Sequence, residues 1–345
     1  MKAHALQLGK AMSAALFVLL LVVVGMKNAL AQTQVATLQH GDDVSAYYGA
    51  NAFVEAHTAA QAGDIITLSS GTFTPCDITK AITLRGAGCA VDTVAGTNPT
   101  TFGGSIELNV ADTTNFLTIE GIMFTNQVSY LTLYNPKFNR CNFTRIGNGY
   151  YYMYNAQFVN CIINQFSFGH AKNTVLMNSV VWNPSGISNS SPVVLFNSIL
   201  ADNDLFYHSL SAYNSIIIFY GTSSYNSYFP QSDCSFINCI GINASNTYNT
   251  FGAGYTSGCV NYTSYEEAFE SFAGEFSLDE PNPFILKDEI ATSILGNDGT
   301  QVGIYGGYMP YSNRPTYMVL KRCNVANKST IDGKLSVDIE VVNEE

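Results

Sequence analysis

A short pattern of apolar and polar positions returns along the middle of the chain: an apolar residue, a spacer, Asn, a small residue (Cys or Ser), then apolar residues. It reads Phe158-x-Asn160-Cys161-Ile162-Ile163, Leu176-x-Asn178-Ser179-Val180-Val181 and Val194-x-x-Asn197-Ser198-Ile199-Leu200. It returns as Tyr213-Asn214-Ser215-Ile216-Ile217 and Phe236-x-Asn238-Cys239-Ile240. At an offset of 20 residues, Tyr134/Tyr154, Asn135/Asn155, Phe138/Phe158 and Cys141/Cys161 coincide. The small positions 141, 161, 179, 198, 215 and 239 are spaced by 20, 18, 19, 17 and 24 residues. Units this short, rich in β-branched and aromatic residues and broken by Asn and Gly, hold about three short strands each and no helix.

A unit of that size cannot bury an apolar face alone, so each must stack on the last, ~4.8 Å apart. The predicted fold is all-β: a right-handed parallel β-helix of roughly nine coils between Asp64 and Asn243, ~43 Å long at that spacing. The recurring Asn is expected at the bend between two sheets, where it tolerates left-handed dihedrals and its amide can bond along a ladder. Cys141 and Cys161 then stack inward as small residues equivalent to Ser179 and Ser198, and are read as buried free thiols, a vertical disulfide between them being sterically possible. Cys76 with Cys89, or Cys234 or Cys239 with Cys259, could instead close loops. Open solenoid ends need caps. Residues 46–61 read as a short amphipathic helix with Phe53, Val54 and Ala60 facing the first coil. Thr263–Phe272 carries capping-box spacing at Ser264 and Glu267. Residues 316–324 and 334–342 alternate apolar and polar around Asp332-Gly333, as in an antiparallel hairpin.

Composition alters the picture in two ways. Charged residues make up 12% of the chain, about half the usual share, and 32 Asn and 28 Gly take their place. Lys2 and Lys10 precede an apolar run from Ala14 to Val24, and Ala29-Leu30-Ala31 supplies small residues before Gln32. This is the pattern of a signal peptide cleaved after Ala31, and the run is shorter than the ~20 residues a spanning helix needs. No Cys follows the run, so a lipoprotein is not expected; the mature chain is read as secreted or at the cell surface, without a transmembrane segment. Cleavage removes three lysines and no acid, taking the net charge from −11 to −14. Nucleic-acid binding requires a basic footprint, which is missing. Three domains of sequence follow: 1–31 the signal peptide, 32–310 the β-helix with its caps, 311–345 a C-terminal β extension.

The entry segment, Ala52-Phe53 through Gly63-Asp64-Ile65-Ile66-Thr67-Leu68, Ser70-Gly71-Thr72-Phe73 and Ile82-Thr83-Leu84-Arg85-Gly86-Ala87-Gly88, resembles that of the pectin/pectate-lyase-like superfamily of right-handed β-helices. Phe276-Ser277-Leu278, Pro283-Phe284-Ile285 and Asn297 to Gly307 are similar to the closing segment of its secreted bacterial members, especially from Bacteroidetes. The resemblance spans about residues 45–310. It implies the fold and leaves the function open, because this fold hosts lyases, hydrolases, epimerases, adhesins and proteins without chemistry.

The enzymes of that superfamily act on polysaccharides through clustered acids, with calcium and an Arg or Lys base, or through a constellation of Asp residues. Both chemistries need converging carboxylates. The central coils carry few: between residues 121 and 260 the acids are Asp202, Asp204 and Asp233. Arg145 and Asp202 each lie four past their small-ladder residue, three coils and ~14 Å apart, too far to pair. His170 and His208 fall in one turn region two coils apart, ~10 Å, without a third metal ligand, and read as exposed turn histidines. Asp202-Asn203-Asp204 could bind Ca²⁺ weakly but is better read as a polar turn. No metal site or cofactor is expected. The tyrosines are denser than inward positions can bury, so an exposed stripe is predicted, suited to sugars or, equally, to packing under long turns or against another copy of the chain. Candidate glycan-binding residues are Tyr130, Tyr150, Tyr152, Arg145 and His170. The expected function is a non-catalytic surface protein binding a glycan or cell-surface partner. The alternatives are a polysaccharide lyase or glycoside hydrolase with an atypical site, using Arg145 or a His as base, and a structural adhesin that binds protein.

Overall fold

Short strands, many of them ended by a left-handed asparagine or glycine, turn the chain repeatedly back over itself. The computed structural model describes residues 34–91, 97–147, 151–188, 190–203, 207–221, 230–243, 249–270, 284–312, 319–325 and 337–342. The predicted signal peptide, Tyr150, Asp204 and Asp332-Gly333 lie outside them. The chain is all-β, 46% strand and 9% helix, and forms a parallel β-solenoid of about nine turns. One face is a twelve-stranded sheet from Asp43–Tyr48 to Tyr255–Ser257; a fifteen-stranded sheet forms the rest of the coil wall. Within the solenoid the neighbours pair in parallel. At its start Val35–His40 runs antiparallel to both Asp43–Tyr48 and Ile65–Leu68.

Parallel register stacks like on like. Along the first sheet Ile66, Leu84, Ile119, Phe138, Phe158, Leu176, Leu195, Ala212 and Phe236 form one inward row, every member fully buried. Across it, Phe102, Phe124 and Phe143 stack, the last pair with ring centroids 4.8 Å apart and nearly parallel. Each such side chain contributes roughly 1.5–3 kcal/mol of burial. A row of this kind supplies the cohesion that a single coil lacks.

The corner between the two sheets is built from the recurring motif. Arg140, Asn160, Asn178, Asn197, Asn214 and Asn238 all have φ between 47° and 53°, apart from Asn197 at 46°. The small residue that follows closes the hydrogen bonding of the bend. Ser179, Ser198 and Ser215 each donate from Oγ to the carbonyl two residues back, at 2.8–2.9 Å. Each also accepts the N–H of the equivalent residue one coil earlier, at 3.0–3.2 Å. Cys141 and Cys161 take the same rungs, fully buried, and among the described residues seven cysteines are free thiols. The amide ladder expected for these asparagines occurs instead at another corner, where Asn155 donates to Asn135 and Asn173 to Asn155, at 2.9 and 3.1 Å.

The asparagines at the first corner hold a strap. Chain from Phe284 to Tyr311 runs back along the solenoid, and Asn178 Nδ2 donates to the carbonyls of Ile304 and Gly306, at 2.9 and 2.7 Å. Asn214 accepts from the Gly303 N–H at its carbonyl, 2.8 Å, and Asn238 bonds Asn297, 2.7 Å. The strap and helix α2 (Tyr265–Ala268) cover the outer side of the second sheet, where Val180, Ile199, Ile216 and Ile240 pack with Phe269, Leu286, Val302 and Ile304. The Ser264 Oγ accepts from the Glu267 N–H at 3.3 Å, as the capping-box spacing predicts. The helix adjoins the last strand, Val260–Tyr262, and packs beside Ile240 and Ile242, while Ser271 and Phe272 of the expected cap lie outside the described residues. The last coil is left with Tyr255, Thr256, Ser257 and Val260 exposed.

The N-terminal helix is shorter than expected, α1 at Ala52–Ala59; residues 46–48 belong to the strand Asp43–Tyr48, paired with Val35–His40. Phe53 is fully buried with its ring 4.8 Å from Phe102, so the helix seats on the solenoid as its apolar face predicts. At the C-terminus Val319–Val325 and Val337–Val342 pair antiparallel, as the alternation requires.

Candidate functional site

Arg145, four past Cys141, sits at the corner where the second sheet ends. Its neighbours on successive coils are Gln127, in direct register, then Gln165 and Asn183, each one residue before the paired Ile146/Phe166/Pro184 row. The four polar side chains form a row along the solenoid axis. With Ile146, Gly147, Phe166, Ser167 and Ser185 they line a cleft of about 330 Å³, at the small end of ligand sites. The Arg145 Nε donates to Gln165 Oε1 at 2.6 Å, fixing the guanidinium while the side chain stays exposed. Gln127 Nε2 donates to the Gly147 carbonyl, 3.1 Å. Gly147, at φ 126°, permits the close approach of the next coil: a Cβ there would lie 2.7 Å from Ser167 Cβ and 2.9 Å from its carbonyl oxygen. Asn183 Oδ1 accepts from the Tyr220 hydroxyl, whose ring stacks on Trp182 at 4.8 Å. The nine lining residues include one cation and no carboxylate.

The chain from Ser167 to His170 links this cleft to an aromatic cluster. Tyr134, Tyr154 and Lys172 occupy one register position on three coils. The Tyr134 and Tyr154 rings stack at 5.1 Å and 8°, and Tyr152 lies 5.8 Å from Tyr154. His170 meets Tyr152 edge-on at 5.0 Å. Lys172 Nζ stands 4.7 Å from the Tyr152 centroid, a contact worth roughly 0.5–1 kcal/mol when exposed. Tyr134, Tyr154 and Lys172 are half-buried, and the exposed rings here are Tyr151 and Tyr152, so the cluster does not form the continuous exposed stripe expected.

The predicted residues separate accordingly. Arg145 lines the cleft; Tyr152, 39% exposed, and His170 belong to the aromatic cluster. Tyr130 leaves the set: it is fully buried, paired with Leu108, and burial pushes its phenol up to about 12. It keeps the inward parity of Phe124 and Val128 on the same strand. Tyr150 and Asp204 fall outside the described residues. Asp202, the next position on the polar row, is buried and accepts from the Tyr207 hydroxyl at 2.6 Å and the Asn203 N–H at 2.7 Å. His208 faces Asp233 at 3.2 Å, whereas His170 faces Tyr152. Among the described residues no three His, Cys, Asp or Glu side chains gather where a metal could sit.

Sequence reasoning singled out Arg145 and missed Gln127, Gln165 and Asn183. The signal was present: Gln165 and Asn183 lie four past Cys161 and Ser179, the count that locates Arg145. No helix among the described residues is long and apolar enough to cross a membrane. Comparison of the chain with protein-family models, with curated proteins and with solved structures finds no match.

Proposed function

We propose that this chain is an exported β-helix protein that binds a neutral polysaccharide lengthwise across its coils without cleaving it. The observation that carries the reading is the row Gln127, Arg145, Gln165, Asn183 along one cleft. Side-chain amides both donate and accept, which is what alternating sugar hydroxyls require. Repetition of such groups at the ~4.8 Å coil spacing favours a polymer over a small molecule. Glycosidic hydrolysis calls for a pair of carboxylates; the lining has none, and the carboxylate next along the row is engaged by Tyr207. A net charge of −11 disfavours polyanions. Export through residues 1–31, a bacterial source and kinship with the pectin/pectate-lyase-like superfamily belong to the same reading, supported by the entry motifs and the solenoid.

The test is binding of the mature protein to a panel of neutral and acidic polysaccharides by calorimetry, with mass-spectrometric inspection for released fragments. Arg145→Ala and Gln165→Ala are each expected to weaken the best ligand about ten-fold, near 1.4 kcal/mol, with unchanged melting temperature. Tyr152→Ala, which unseats Lys172 and His170 at the edge, should cost about three-fold, roughly 0.6 kcal/mol. Wild-type affinity in both cleft variants would move the site elsewhere, and released oligosaccharides would make the protein an enzyme.

A further inference from the structure

Cys239 and Cys259 hold the last two rungs of the small-residue ladder. Their coils pair in register on both sides, Ile237 with Ser257 and Ile240 with Val260. Adjacent strands lie about 4.8 Å apart and disulfide-linked Cα atoms about 4.4–6.8 Å, so the backbones already stand at bonding distance. Cys141 and Cys161 stand in the same relation higher up, flanked by the Asn142–Ile162 pair. The two pairs differ in access. Cys141 and Cys161 are both fully buried, and burial holds the Cys141 thiol well above its ordinary range. Cys259 is half-buried in the terminal coil, where Thr256, Ser257 and Val260 around it are exposed.

The chemistry differs as well. The Cys239 N–H donates to Cys259 Sγ at 3.4 Å, and the contact with Cys239 holds Cys259 below its ordinary range, at about 6. The Cys239 thiol itself donates to the Ile237 or Ala212 carbonyl, 3.3 and 3.4 Å away. When protonated, Cys259 donates to the Phe236 or Ser257 carbonyl, 3.3 and 3.6 Å away. Cys239, fully buried, is held well above the ordinary range by burial. An accessible thiolate beside a buried thiol is the arrangement of an attacking and a resolving cysteine.

We propose that Cys239 and Cys259 form a thiol–disulfide exchange site at the open end of the solenoid, which a small-molecule disulfide converts to an intrachain disulfide. The Cys259 thiolate attacks one sulfur of the incoming disulfide; that S–S bond breaks, a mixed disulfide forms and one thiolate leaves. Cys239 then gives its proton to solvent and attacks Cys259 Sγ, forming the Cys239–Cys259 bond and expelling the second thiolate. Two protein thiols are oxidised and the incoming disulfide is reduced to two thiols. The resulting bond ties the terminal coil to the one before it.

The experiment uses the reduced full chain and oxidised glutathione as the probe, read by peptide mass mapping without reduction. A short iodoacetamide pulse at neutral pH should label Cys259 at least about ten-fold faster than Cys76, which burial pushes up to about 11. Glutathione should then link Cys239 to Cys259 and leave Cys141 and Cys161 as thiols. Cys239→Ser, conservative because serine fills the rungs at 179, 198 and 215, should trap glutathione on Cys259. Linkage of Cys141 to Cys161 first, two chains joined through Cys259, no Cys239–Cys259 link, or no adduct in Cys239→Ser would each overturn the proposal.

Discussion

Nine asparagines have φ between 46° and 56°, a backbone region in which most residues lose roughly 1–2 kcal/mol. Glycine satisfies that geometry equally, so what separates one corner from the next is the side chain. The Asn178 amide holds two strap carbonyls in a buried setting. Both polar atoms of Asn160, one coil earlier and 1% exposed, meet no partner among the described residues. Asn178→Gly should therefore cost about 1–3 kcal/mol, because it orphans buried carbonyls. In Asn160→Gly, relief of a buried unpaired amide offsets the greater entropy of an unfolded glycine, and stability should stay within about 0.5 kcal/mol. Urea unfolding of the two variants distinguishes them; equal losses would mean that the amide contacts to the strap contribute nothing.

Helix α1 is an element whose end is held by one distant side chain. Lys80 Nζ donates to the carbonyls of His57, Thr58 and Ala60 at 2.6–2.9 Å, closing a C-terminus that lacks its own acceptors' partners. His57 lies in the same turn, 6% exposed, and accepts the Thr79 N–H at Nε2, 3.3 Å. Burial first, and the Lys80 charge second, lower its pKa below 6.5. The unfolded chain then binds the proton more readily, so the contribution of neutral His57 is complete above pH 6.5 and is lost as the pH falls towards its folded value. A thermal melt series should show the wild type losing stability below that point more steeply than His57→Gln; parallel curves would remove His57 from the acid response. Elements of this kind were only partly legible in advance. The Asn-small motif located the coil corners because left-handed geometry constrains residue type. Only residues 46–48 of the strand Asp43–Tyr48 overlap the helix expected over 46–61; Ala46, Tyr47 and Tyr48 pair in a hairpin and show no buried alternation to mark them as strand. The strap, irregular apart from the short helix Asp288–Ser293, has no periodicity to read. Its footprint was nevertheless written in Ile199-Leu200-Ala201 and Ile216-Ile217-Ile218, continuous apolar runs that mark a sheet buried on both faces.

At the scale of the whole molecule, the solenoid converts spacing in sequence into rows in space, and this is why half of the candidate site could be counted out and half could not. Arg145 announces itself as a rare cation; Gln127, Gln165 and Asn183 acquire meaning only once the coils are in register. Tyr130 misled because abundance of tyrosine says nothing about parity within a strand. The same architecture separates charge from site. The acids lie towards the two ends of the chain, and the middle of the sequence holds Lys137, Arg140, Arg145 and Lys172 against Asp202, Asp204 and Asp233. Of these, Arg140 stands 3.9 Å from Glu120 and Asp233 faces His208. A ligand held through hydroxyl–amide bonds in such a neutral band feels little long-range field, and exposed charges elsewhere are screened within about 10 Å at ordinary salt. Raising NaCl from about 50 to about 500 mM, where the screening length shortens by about three-fold, should change the affinity for a neutral polysaccharide by less than about two-fold. A loss of ten-fold or more would mean that an anionic group on the ligand meets Arg145 and Lys172 directly, and the ligand class would have to be redrawn around that charge.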